Sequence, residues 1–423
     1  MIGAGYVGLP LALRFADVGK TVVCVEPNAS KVAKLNAGES YIPDVPSDEL
    51  AAHVEAGRIT ASTHYSAAGA ANAILICVPT PLTQNREPDL SYVEAAAEGV
   101  SRFLRHGQLV VLESTTYPGT TRDILQPILE RTGLDCGTDF SLAMSPELID
   151  PGRTDYTVKT TPKVVGGITP DCTRRAAELY ASCVDEIVEV SSPEAAELTK
   201  LLENIFRSVN IAFMNEMAMM CDRMGIDVWE VADAAATKPF GFMSFKPGPG
   251  LGGHCLPLDP FYLSWKAREF DFYTEFIELA GKVNENMPYF CMQKINRALN
   301  SRQKSVRGAK VLLLGLAYKA DIDDLRESPA LKLIELLVAE GADVAYHDPF
   351  VPTLGDDGHG HHYDPPLRSV ELTNETLAAS DCVAIVTAHS QIDYANLVEW
   401  APVVVDFRNA TRNVPTNGNV HKL

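Results

Sequence analysis

The chain opens on Gly3-Ala4-Gly5-Tyr6-Val7-Gly8, a G-x-G-x-x-G pattern that runs into a helical periodicity over residues 9–19. Glycines at this spacing permit a tight turn from strand to helix and let a pyrophosphate approach the N–H groups at the helix N-terminus. The next apolar run, residues 21–26, ends on Glu26, where an acid would bond a ribose 2′-OH and repel a 2′-phosphate. The pattern predicts a dinucleotide-binding α/β domain that prefers NAD to NADP. The alternative is a chance glycine turn.

The strand that should precede this motif is represented only by Met1 and Ile2. A parallel sheet that lacks most of its central strand would lose much of its core. We therefore expect that the true protein starts upstream, because of a mis-assigned start codon or a missing N-terminal segment.

Short β-branched runs alternate with helical patterns through the first part of the chain. Residues 73–78 and 109–113 are typical of buried parallel strands, and residues 92–104 between them have helical periodicity. This alternation predicts a doubly wound α/β domain, which we place at residues 1–190.

Strand signals vanish between residues 193 and 299. A long helix is predicted over residues 195–224, which contain no Gly or Pro and are apolar around much of the helix circumference. A second helical stretch covers residues 261–299. These patterns predict a central helical domain over residues 191–300.

The α/β alternation resumes after residue 301. Strands are predicted at residues 310–315, 343–346, 383–386 and 403–406, with a helix at residues 329–340. The predicted fold class is therefore α/β, with two Rossmann-like doubly wound parallel-sheet domains, residues 1–190 and 301–423, joined by the central helical domain.

The composition argues against several classes of protein. With 36 Lys and Arg against 55 Asp and Glu, the formal net charge is −19, which argues against nucleic acid as a partner. No apolar run approaches the ~20 residues that a membrane-spanning helix needs, so no membrane insertion is expected. The nine cysteines form no C-x-x-C pair, so neither a disulfide framework nor a zinc site is indicated. A reducing cytoplasm suits this pattern best.

A histidine tract, His359-Gly360-His361-His362, could suggest a metal. It lies among Asp, Gly and Pro residues that are typical of turns, and it has no supporting shell of further ligands. We therefore predict a solvated loop here and no metal site.

Residues 248–260 place four glycines before a single cysteine, Cys255, and a carboxylate, Asp259, four residues after it. The glycines let backbone approach a ligand closely, and with the prolines they predict a rigid loop without helix or strand. A thiol in this setting suggests a covalent nucleophile with an acid–base partner. The alternative is a buried cysteine that packs as a small apolar side chain.

Seven motifs in order make the chain similar, over essentially its full length, to the UDP-glucose/UDP-N-acetylhexosamine 6-dehydrogenase family. They are residues 3–8, 77–81 (Cys-Val-Pro-Thr-Pro), 113–115 (Glu-Ser-Thr), 145–147 (Ser-Pro-Glu), 200–204 (Lys-Leu-Leu-Glu-Asn), the Cys255 segment, and 315–319 (Gly-Leu-Ala-Tyr-Lys) through 324–329. The resemblance implies an NAD-binding domain, a helical dimerisation and catalytic domain and a UDP-binding domain.

The resemblance also implies a four-electron oxidation, in which the C6 alcohol of a UDP-sugar becomes a carboxylate with two NAD. Cys255 would attack the intermediate aldehyde, and a second hydride transfer from the thiohemiacetal would give a thioester. Water would then release the acid. The thiol would thus keep a reactive aldehyde on the enzyme between the two oxidations.

Roles of individual residues are implied by the motif positions that they match. Lys200 would stabilise the developing oxyanion, and Asn204, one helical turn on, would contact the sugar. Asp259 and Thr115 would position a water, toward which Glu147 would act as general base. The alternative for Lys200 is a solvated lysine on a helix.

Binding residues are implied in the same way. The NAD site would comprise Gly3, Ala4, Gly5, Tyr6, Val7, Gly8, Glu26, Val78, Pro79, Thr80, Ser114, Thr115 and Arg326. The UDP-sugar site would comprise Glu147, Leu148, Lys200, Asn204, Lys238, Gly248, Gly250, Gly252, Tyr318, Lys319 and Arg408, of which Tyr318, Lys319 and Arg408 would hold the UDP moiety.

Departures from the UDP-glucose pattern favour an N-acetylhexosamine. Members of the family that act on UDP-glucose usually have a small residue before the nucleophile, a lysine just before the aspartate and a second acid four residues after the Ser-Pro-Glu glutamate. This chain has His254, Leu258 and Pro151 at those positions. The GlcNAc type fits better than the ManNAc type, although epimers are separated by few pocket contacts. UDP-ManNAc and UDP-glucose dehydrogenases are the alternatives. A third alternative is a non-catalytic protein that binds a UDP-sugar, but the presence of Cys255, Lys200, Glu147 and Asp259 argues against it.

The helix over residues 195–224 is too apolar to be covered by one small domain. We therefore predict a homodimer packed through this helix with a two-fold contact. Such a dimer could bring Lys238 of one subunit near the UDP phosphates of the other, since the family often has an arginine in this region.

Overall fold

The computed structural model describes residues 1–42, 44–83, 85–147, 156–253, 255–356 and 362–423. The chain forms two compact units. One comprises Met1–Glu203 with Phe261–Tyr273, and the other comprises Asn204–Pro260 with Thr274–Leu423. Each unit contains a five-stranded sheet whose strands are mainly parallel.

The first unit contains the strands predicted at residues 21–26, 73–78 and 109–113. Its strands are β1 (Val22–Val25), β2 (Ile59–Ser62), β3 (Ala73–Ile76), β4 (Leu109–Leu112), β5 (Ser141–Met144), β6 (Lys163–Gly167) and β7 (Ile187–Glu189). Its helices are α1 (Gly8–Asp17), α2 (Ala29–Asn36), α3 (Ser47–Glu55), α4 (Ser91–Ser101), α5 (Gln126–Glu130) and α6 (Pro170–Ala181). β1 pairs with β2, and β3 to β7 pair in chain order. The β5–β6 pair is antiparallel, which the prediction of a wholly parallel sheet missed.

Ile2 joins these two groups of strands. It bridges Val25 on one side and Ile76 on the other. Its N–H donates to Leu75 O at 2.7 Å, and its carbonyl accepts from Cys77 N at 2.7 Å. Ile2 is buried, with 3% of its surface exposed. The resulting strand order is that of a dinucleotide-binding sheet.

The second unit contains a five-stranded parallel sheet in the order β14-β13-β12-β8-β9. Its strands are β8 (Lys310–Leu314), β9 (Asp343–His347), β10 (Thr353–Asp356), β11 (His362–Arg368), β12 (Cys382–Ile385), β13 (Val404–Asp406) and β14 (Val420–Lys422). β10 and β11 form a separate antiparallel pair. The chain order reverses between β8 and β12, so the ligand-binding switch point of this sheet lies at their carboxyl ends.

Helices cover both faces of this second sheet. They are α8 (Val228–Ala236), α10 (Glu275–Asn300), α11 (Pro329–Ala339), α12 (Asn374–Ala379) and α13 (Tyr394–Trp400). Leu313 of β8 belongs to the core cluster that includes α10 and α11, whereas its neighbours Leu312 and Leu314 pack with α12 and α13. Successive strand residues face opposite sides, so a strand buried on both faces must be apolar throughout.

The predicted helix over residues 195–224 is confirmed as α7 (Pro193–Met224). The stretch predicted over residues 261–299 is two helices, α9 (Cys255–Ala267) and α10, because the chain turns at Asp271 with a φ of 54°. The predicted loop is wrong after residue 254, since Cys255 begins α9. Pro257 lies in the first turn, where a helix needs no N–H donor.

Candidate active site

Close backbone contacts shape the glycine loop ahead of α1. Gly3 has a φ of 92°, and a Cβ on Gly8 would lie 2.1 Å from the Gly3 carbonyl oxygen. A Cβ on Gly5, in contrast, would meet no atom within 4 Å. The N-cap residue Val7 supplies no side-chain acceptor to α1. The loop thus combines a helix N-terminus without a side-chain cap with open space beside Gly5, and this cradle fits a pyrophosphate.

Glu26 lies directly after β1, beside the glycine loop. Its carboxylate accepts from Ala4 N at 3.4 Å and from Asn28 N at 3.2 Å. Tyr41 donates to the Ala4 carbonyl at 2.8 Å. Burial, together with the charge of Glu26, raises the pKa of Tyr41, so this phenol remains a donor. The acid therefore lies at the place where a ribose hydroxyl would meet it.

Ser114 links the carboxyl ends of β3 and β4. Its hydroxyl accepts from Val78 N at 3.0 Å and donates to Val78 O at 2.8 Å. Thr80 is buried and Thr115 is half-buried. The structure thus brings the residues around 78–80 and 114–115 together at one edge of the sheet.

Glu147 lies beside a buried ion pair between Glu113, of the 113–115 motif, and Lys163. Lys163 Nζ donates to Glu113 Oε2 at 2.6 Å and to Pro146 O at 3.2 Å. The Tyr180 hydroxyl donates to Glu113 as well. Burial alone would lower the pKa of Lys163, but the charges of Glu113 and Glu147 raise it, so an ammonium is retained. This cation therefore fixes the backbone next to Glu147.

Lys200 is buried on α7, three residues after Glu197. The Glu197 carboxylate accepts from Gly119 N at 2.6 Å, from Thr121 N at 2.8 Å and from Thr121 Oγ1 at 2.7 Å. These bonds hold α7 to the start of the π-helical turn Thr120–Leu125. Burial raises the pKa of Glu197 to about 7 against these hydrogen bonds.

Cys255, in the second unit, is the half-buried first residue of α9. At this end the helix dipole favours negative charge, which suits a thiolate. Asp259 follows one turn later on the same face. It is buried, and its Oδ2 accepts from Asn204 Nδ2 at 2.6 Å. The structure therefore places Cys255, Asp259 and Asn204 in one unit, with the carboxylate fixed by the amide.

The glycine loop of residues 248–253 packs against the residues expected to hold UDP. A Cβ on Gly248 would lie 2.6 Å from Arg408 Nη1, and one on Gly252 would lie 2.4 Å from Tyr318 Cβ. No side chain could be accommodated at these two positions without displacement of a neighbour. The loop that leads to the thiol is therefore in direct contact with Tyr318 and Arg408.

Two buried asparagines hold the start of this loop, and no motif suggested them. Asn215 Nδ2 donates to Asn284 Oδ1 at 2.9 Å, and Asn215 Oδ1 accepts from Gly248 N at 2.9 Å. Asn284 Nδ2 donates to Ser208 O at 3.2 Å. Helices α7 and α10 thus fix the glycine loop through side-chain amides.

Two further predicted binding residues, Arg326 and Lys238, contact side chains that lie near them in sequence. Arg326 is paired with Asp324, to which its Nε and Nη2 donate at 3.0 and 2.7 Å. Lys238 is exposed, with Nζ 4.9 Å from the centre of the Phe240 ring. Leu148, Pro151 and His254 lie outside the described residues, as do residues 357–361 with most of the histidine tract.

The described part of the chain contains no cluster of three or more His, Cys, Asp or Glu residues that could hold a metal ion. Within the same residues, no helix has both the length and the apolar character that crossing a membrane requires.

Three family models match the chain in order. The NAD binding domain of the UDP-glucose/GDP-mannose dehydrogenase family matches residues 1–184, its central domain residues 194–286 and its UDP binding domain residues 312–413.

Individual relatives are similar along nearly the whole chain. A UDP-N-acetyl-D-mannosamine dehydrogenase from Pyrococcus horikoshii is 33% identical, over 98% of this chain and 96% of its own. A UDP-N-acetyl-D-glucosamine 6-dehydrogenase from Pseudomonas aeruginosa is 34% identical, over 92% of this chain and 90% of its own. A solved structure of a UDP-D-ManNAc dehydrogenase from Pyrococcus horikoshii has a TM-score of 0.90 at 32% identity and covers 100% of this chain and 97% of its own.

The chain belongs to the UDP-glucose/GDP-mannose dehydrogenase family. It is an NAD-dependent nucleotide-sugar dehydrogenase, with two Rossmann-like domains and a central helical domain. The predictions of the family, the fold class, the class of enzyme and the cofactor are confirmed.

Gly8→Ala and Gly5→Ala should separate folding from cofactor binding. A Cβ at position 8 must displace the Gly3 backbone, so we expect a clear fall in Tm and loss of NAD binding. A methyl group at position 5 has room in the fold but would occupy the space of the pyrophosphate. Tm should therefore remain unchanged, while Kd for NAD rises about tenfold, which is a loss of ~1.4 kcal/mol of binding free energy. Thermal unfolding and NAD titration measure both effects. An unchanged Kd for NAD in Gly5→Ala would contradict the hypothesis that the pyrophosphate binds beside Gly5.

Glu197 should make stability depend on pH. Because burial raises its pKa to about 7, the folded state keeps a proton that the unfolded state, with a pKa of about 4.3, has released. This stabilisation is complete below the unfolded pKa and is lost as pH rises through about 7. Urea unfolding should therefore show the native chain losing stability relative to Glu197→Gln between about pH 5 and pH 8. Parallel pH profiles for the two proteins would refute the assignment.

Proposed function

We propose that this enzyme oxidises C6 of UDP-N-acetylglucosamine to the uronate with two NAD, through a thioester on Cys255. The observation that carries the proposal is the contact of the 248–253 loop with Tyr318 and Arg408. A nucleoside diphosphate held by Tyr318, Lys319 and Arg408 would leave its sugar close to a thiol only two residues beyond that loop.

In this proposal each of the three predicted domains has its own role. Residues 1–190 bind NAD, residues 191–300 supply dimer contacts and catalytic groups, and residues 301–423 bind UDP. The glycine loop, Glu26 and the 78–80 and 114–115 segments hold NAD, with Arg326 as a further contact. NAD, when bound, accepts hydride from the sugar carbon. All nine cysteines are free thiols, in keeping with the proposed cytoplasmic location.

Cys255 and Lys200 act on the aldehyde that the first oxidation produces. The thiolate attacks C6 and forms a C–S bond, while the carbonyl electron pair moves to oxygen and Lys200 stabilises the resulting charge. Loss of a second hydride converts this adduct into the thioester. Without the covalent bond, the aldehyde could leave the enzyme between the two oxidations.

Glu147 acts at the hydrolytic stage. It takes a proton from the water that attacks the acyl carbon, and the C–S bond breaks to return a thiolate at the N-terminus of α9. Asp259 and Thr115 orient this water, and Asn204 holds Asp259 while contacting the sugar. The Lys163–Glu113 pair fixes the chain beside Glu147.

The choice of sugar rests on the residues around the nucleophile. Leu258 places a half-buried apolar side chain next to Asp259, where the UDP-glucose branch usually has a lysine. An apolar neighbour suits an acetamido methyl better than it suits a hydroxyl. UDP-N-acetylmannosamine is the second candidate, because the similar Pyrococcus horikoshii protein is named for it.

Initial rates of NADH formation test the substrate. We expect kcat/KM for UDP-N-acetylglucosamine to exceed that for UDP-N-acetylmannosamine and UDP-glucose by at least tenfold, about 1.4 kcal/mol of transition-state discrimination. A higher value for UDP-N-acetylmannosamine would overturn the choice of epimer. A higher value for UDP-glucose would overturn the choice of branch.

Variants of Cys255 and Glu147 test the covalent route. Cys255→Ser should abolish net formation of the acid, because a serine hydroxyl without a dedicated base is weakly nucleophilic. Glu147→Gln should instead accumulate the acyl-enzyme, visible as an added mass on the Cys255 peptide. Wild-type turnover by Cys255→Ser would exclude the thioester, and only free thiol in Glu147→Gln during turnover would remove Glu147 from hydrolysis.

We further propose a homodimer packed through α7. Its apolar residues that remain exposed in the single chain recur every four or seven positions and therefore share one face: Leu198, Leu202, Phe206, Phe213, Met220 and Met224. An exposed apolar stripe of this length is typical of an isologous interface. Lys238 would then approach the UDP phosphates bound by the partner subunit.

Light scattering at micromolar concentration tests the assembly. The wild-type chain should have twice the mass of one chain, whereas the double variant Leu202→Lys, Phe213→Lys should be monomeric because it places charges in the apolar stripe. Tyr92→Lys, at an exposed aromatic of α4, is the matched control and should remain dimeric. A monomeric and fully active wild-type enzyme would exclude both the interface and the shared site.

A further inference from the structure

A buried Asp–His pair lies at the switch point of the second sheet. Asp348 follows β9 and is 2% exposed, and His389 follows β12 and is fully buried. His389 Nε2 lies 3.1 Å from Asp348 Oδ2. Both residues lie at the carboxyl edge of the sheet, where ligands of doubly wound folds bind. Neither residue takes part in the proposed reaction.

Asp348 anchors the chain that leaves β8. Its Oδ2 accepts from Leu316 N at 2.6 Å and from Ala317 N at 3.2 Å, and its Oδ1 accepts from Phe350 N at 2.8 Å. Burial alone would raise the pKa of Asp348, but the His389 hydrogen bond and the backbone N–H groups lower it. The side chain is therefore an ionised carboxylate, fixed by several donors.

His389 anchors the same chain at a later point. Its Nδ1 accepts from Asp321 N at 3.0 Å, so the ring proton lies on Nε2 and is donated to Asp348. Asp321 has a φ of 64°, a conformation that is unfavourable for a residue other than glycine. Its Oδ1 also accepts from Ser390 N at 2.8 Å. The neighbouring residues His389 and Ser390 thus hold Asp321 in this conformation.

The two anchors bracket a three-residue tip. Residues 318–320 lie between Ala317, which is bonded to Asp348, and Asp321, which is bonded to His389. Tyr318 and Lys319 in this tip are the residues proposed to contact UDP. We propose that His389 and Asp348 are positioning residues for recognition of the uridine diphosphate, because together they fix both ends of the segment that contacts it. This inference rests on the proposed function only through those two contacts.

Two substitutions at position 389 remove the two bonds separately. In His389→Gln the amide N–H can still reach Asp348, but the acceptor for Asp321 N is lost. In His389→Asn the amide oxygen can accept from Asp321 N, but the donor to Asp348 is lost. Because Asp321 is the strained residue, the glutamine variant should be the more damaging one.

The probe is UDP alone, titrated by calorimetry into the full-length enzyme. We expect Kd for UDP to rise about tenfold in His389→Gln and about threefold in His389→Asn. KM for the UDP-sugar should rise by the same factors, while kcat at saturation and Kd for NAD remain unchanged. His421→Gln, on β14 of the same sheet, is the matched control and should bind UDP as the wild type does.

Circular dichroism and Tm establish that each variant is folded. A folded His389→Gln variant that binds UDP within twofold of the wild type would overturn the proposal. Equal losses of UDP and NAD affinity, or an equal loss in His421→Gln, would also overturn it, because either result would indicate general loosening. If the wild type formed no NADH from any UDP-sugar while UDP binding still depended on His389, the proposed function would fail and this inference would stand.

Discussion

Close approach of glycine backbone to neighbouring atoms shapes the ligand-binding loops of each unit. A Cβ on Gly8 would come within 2.1 Å of the Gly3 carbonyl, and a Cβ on Gly252 within 2.4 Å of Tyr318 Cβ. Nonbonded atoms do not approach so closely, so these positions require glycine. The loop that fits NAD and the loop that leads to Cys255 therefore owe their shape to the absence of side chains, which would let a ligand approach the backbone closely.

Buried carboxylates hold such loops in place. Glu197 accepts three hydrogen bonds from the chain that follows Thr115. Glu113 accepts a hydrogen bond from the Lys163 ammonium, beside Glu147. Asp348 accepts hydrogen bonds from the backbone that leads to Tyr318. Each is almost fully shielded from water, so the donors that it satisfies would be left unpaired by its loss. Of the proposed catalytic groups, Thr115 and Glu147 lie on loops, and Glu197 and Glu113 fix the chain near them.

Much of the fold could be predicted, because strands buried on both faces must be apolar and therefore stand out from the helices between them. The helix that begins at Cys255 is not predicted, because prolines disfavour a helix interior. Pro257 is accommodated in the first turn, whereas Pro260 lies inside the helix. Glu197 and His389 were missed for another reason: their partners are backbone N–H groups remote in sequence, which no periodicity reveals. His389 does follow a predicted strand, so a weak signal for it was present.

The proposed chemistry depends on Cys255 holding an aldehyde between two oxidations, and the ratio of NADH formed to UDP-N-acetylglucosamine consumed tests this most directly. Absorbance at the NADH band and chromatography of the nucleotide sugars would be followed in the same reaction, at limiting sugar and excess NAD. If Cys255 retains the aldehyde, we expect two NADH for each sugar, with the uronate as product and no free aldehyde. One NADH per sugar, with release of an aldehyde, would contradict it.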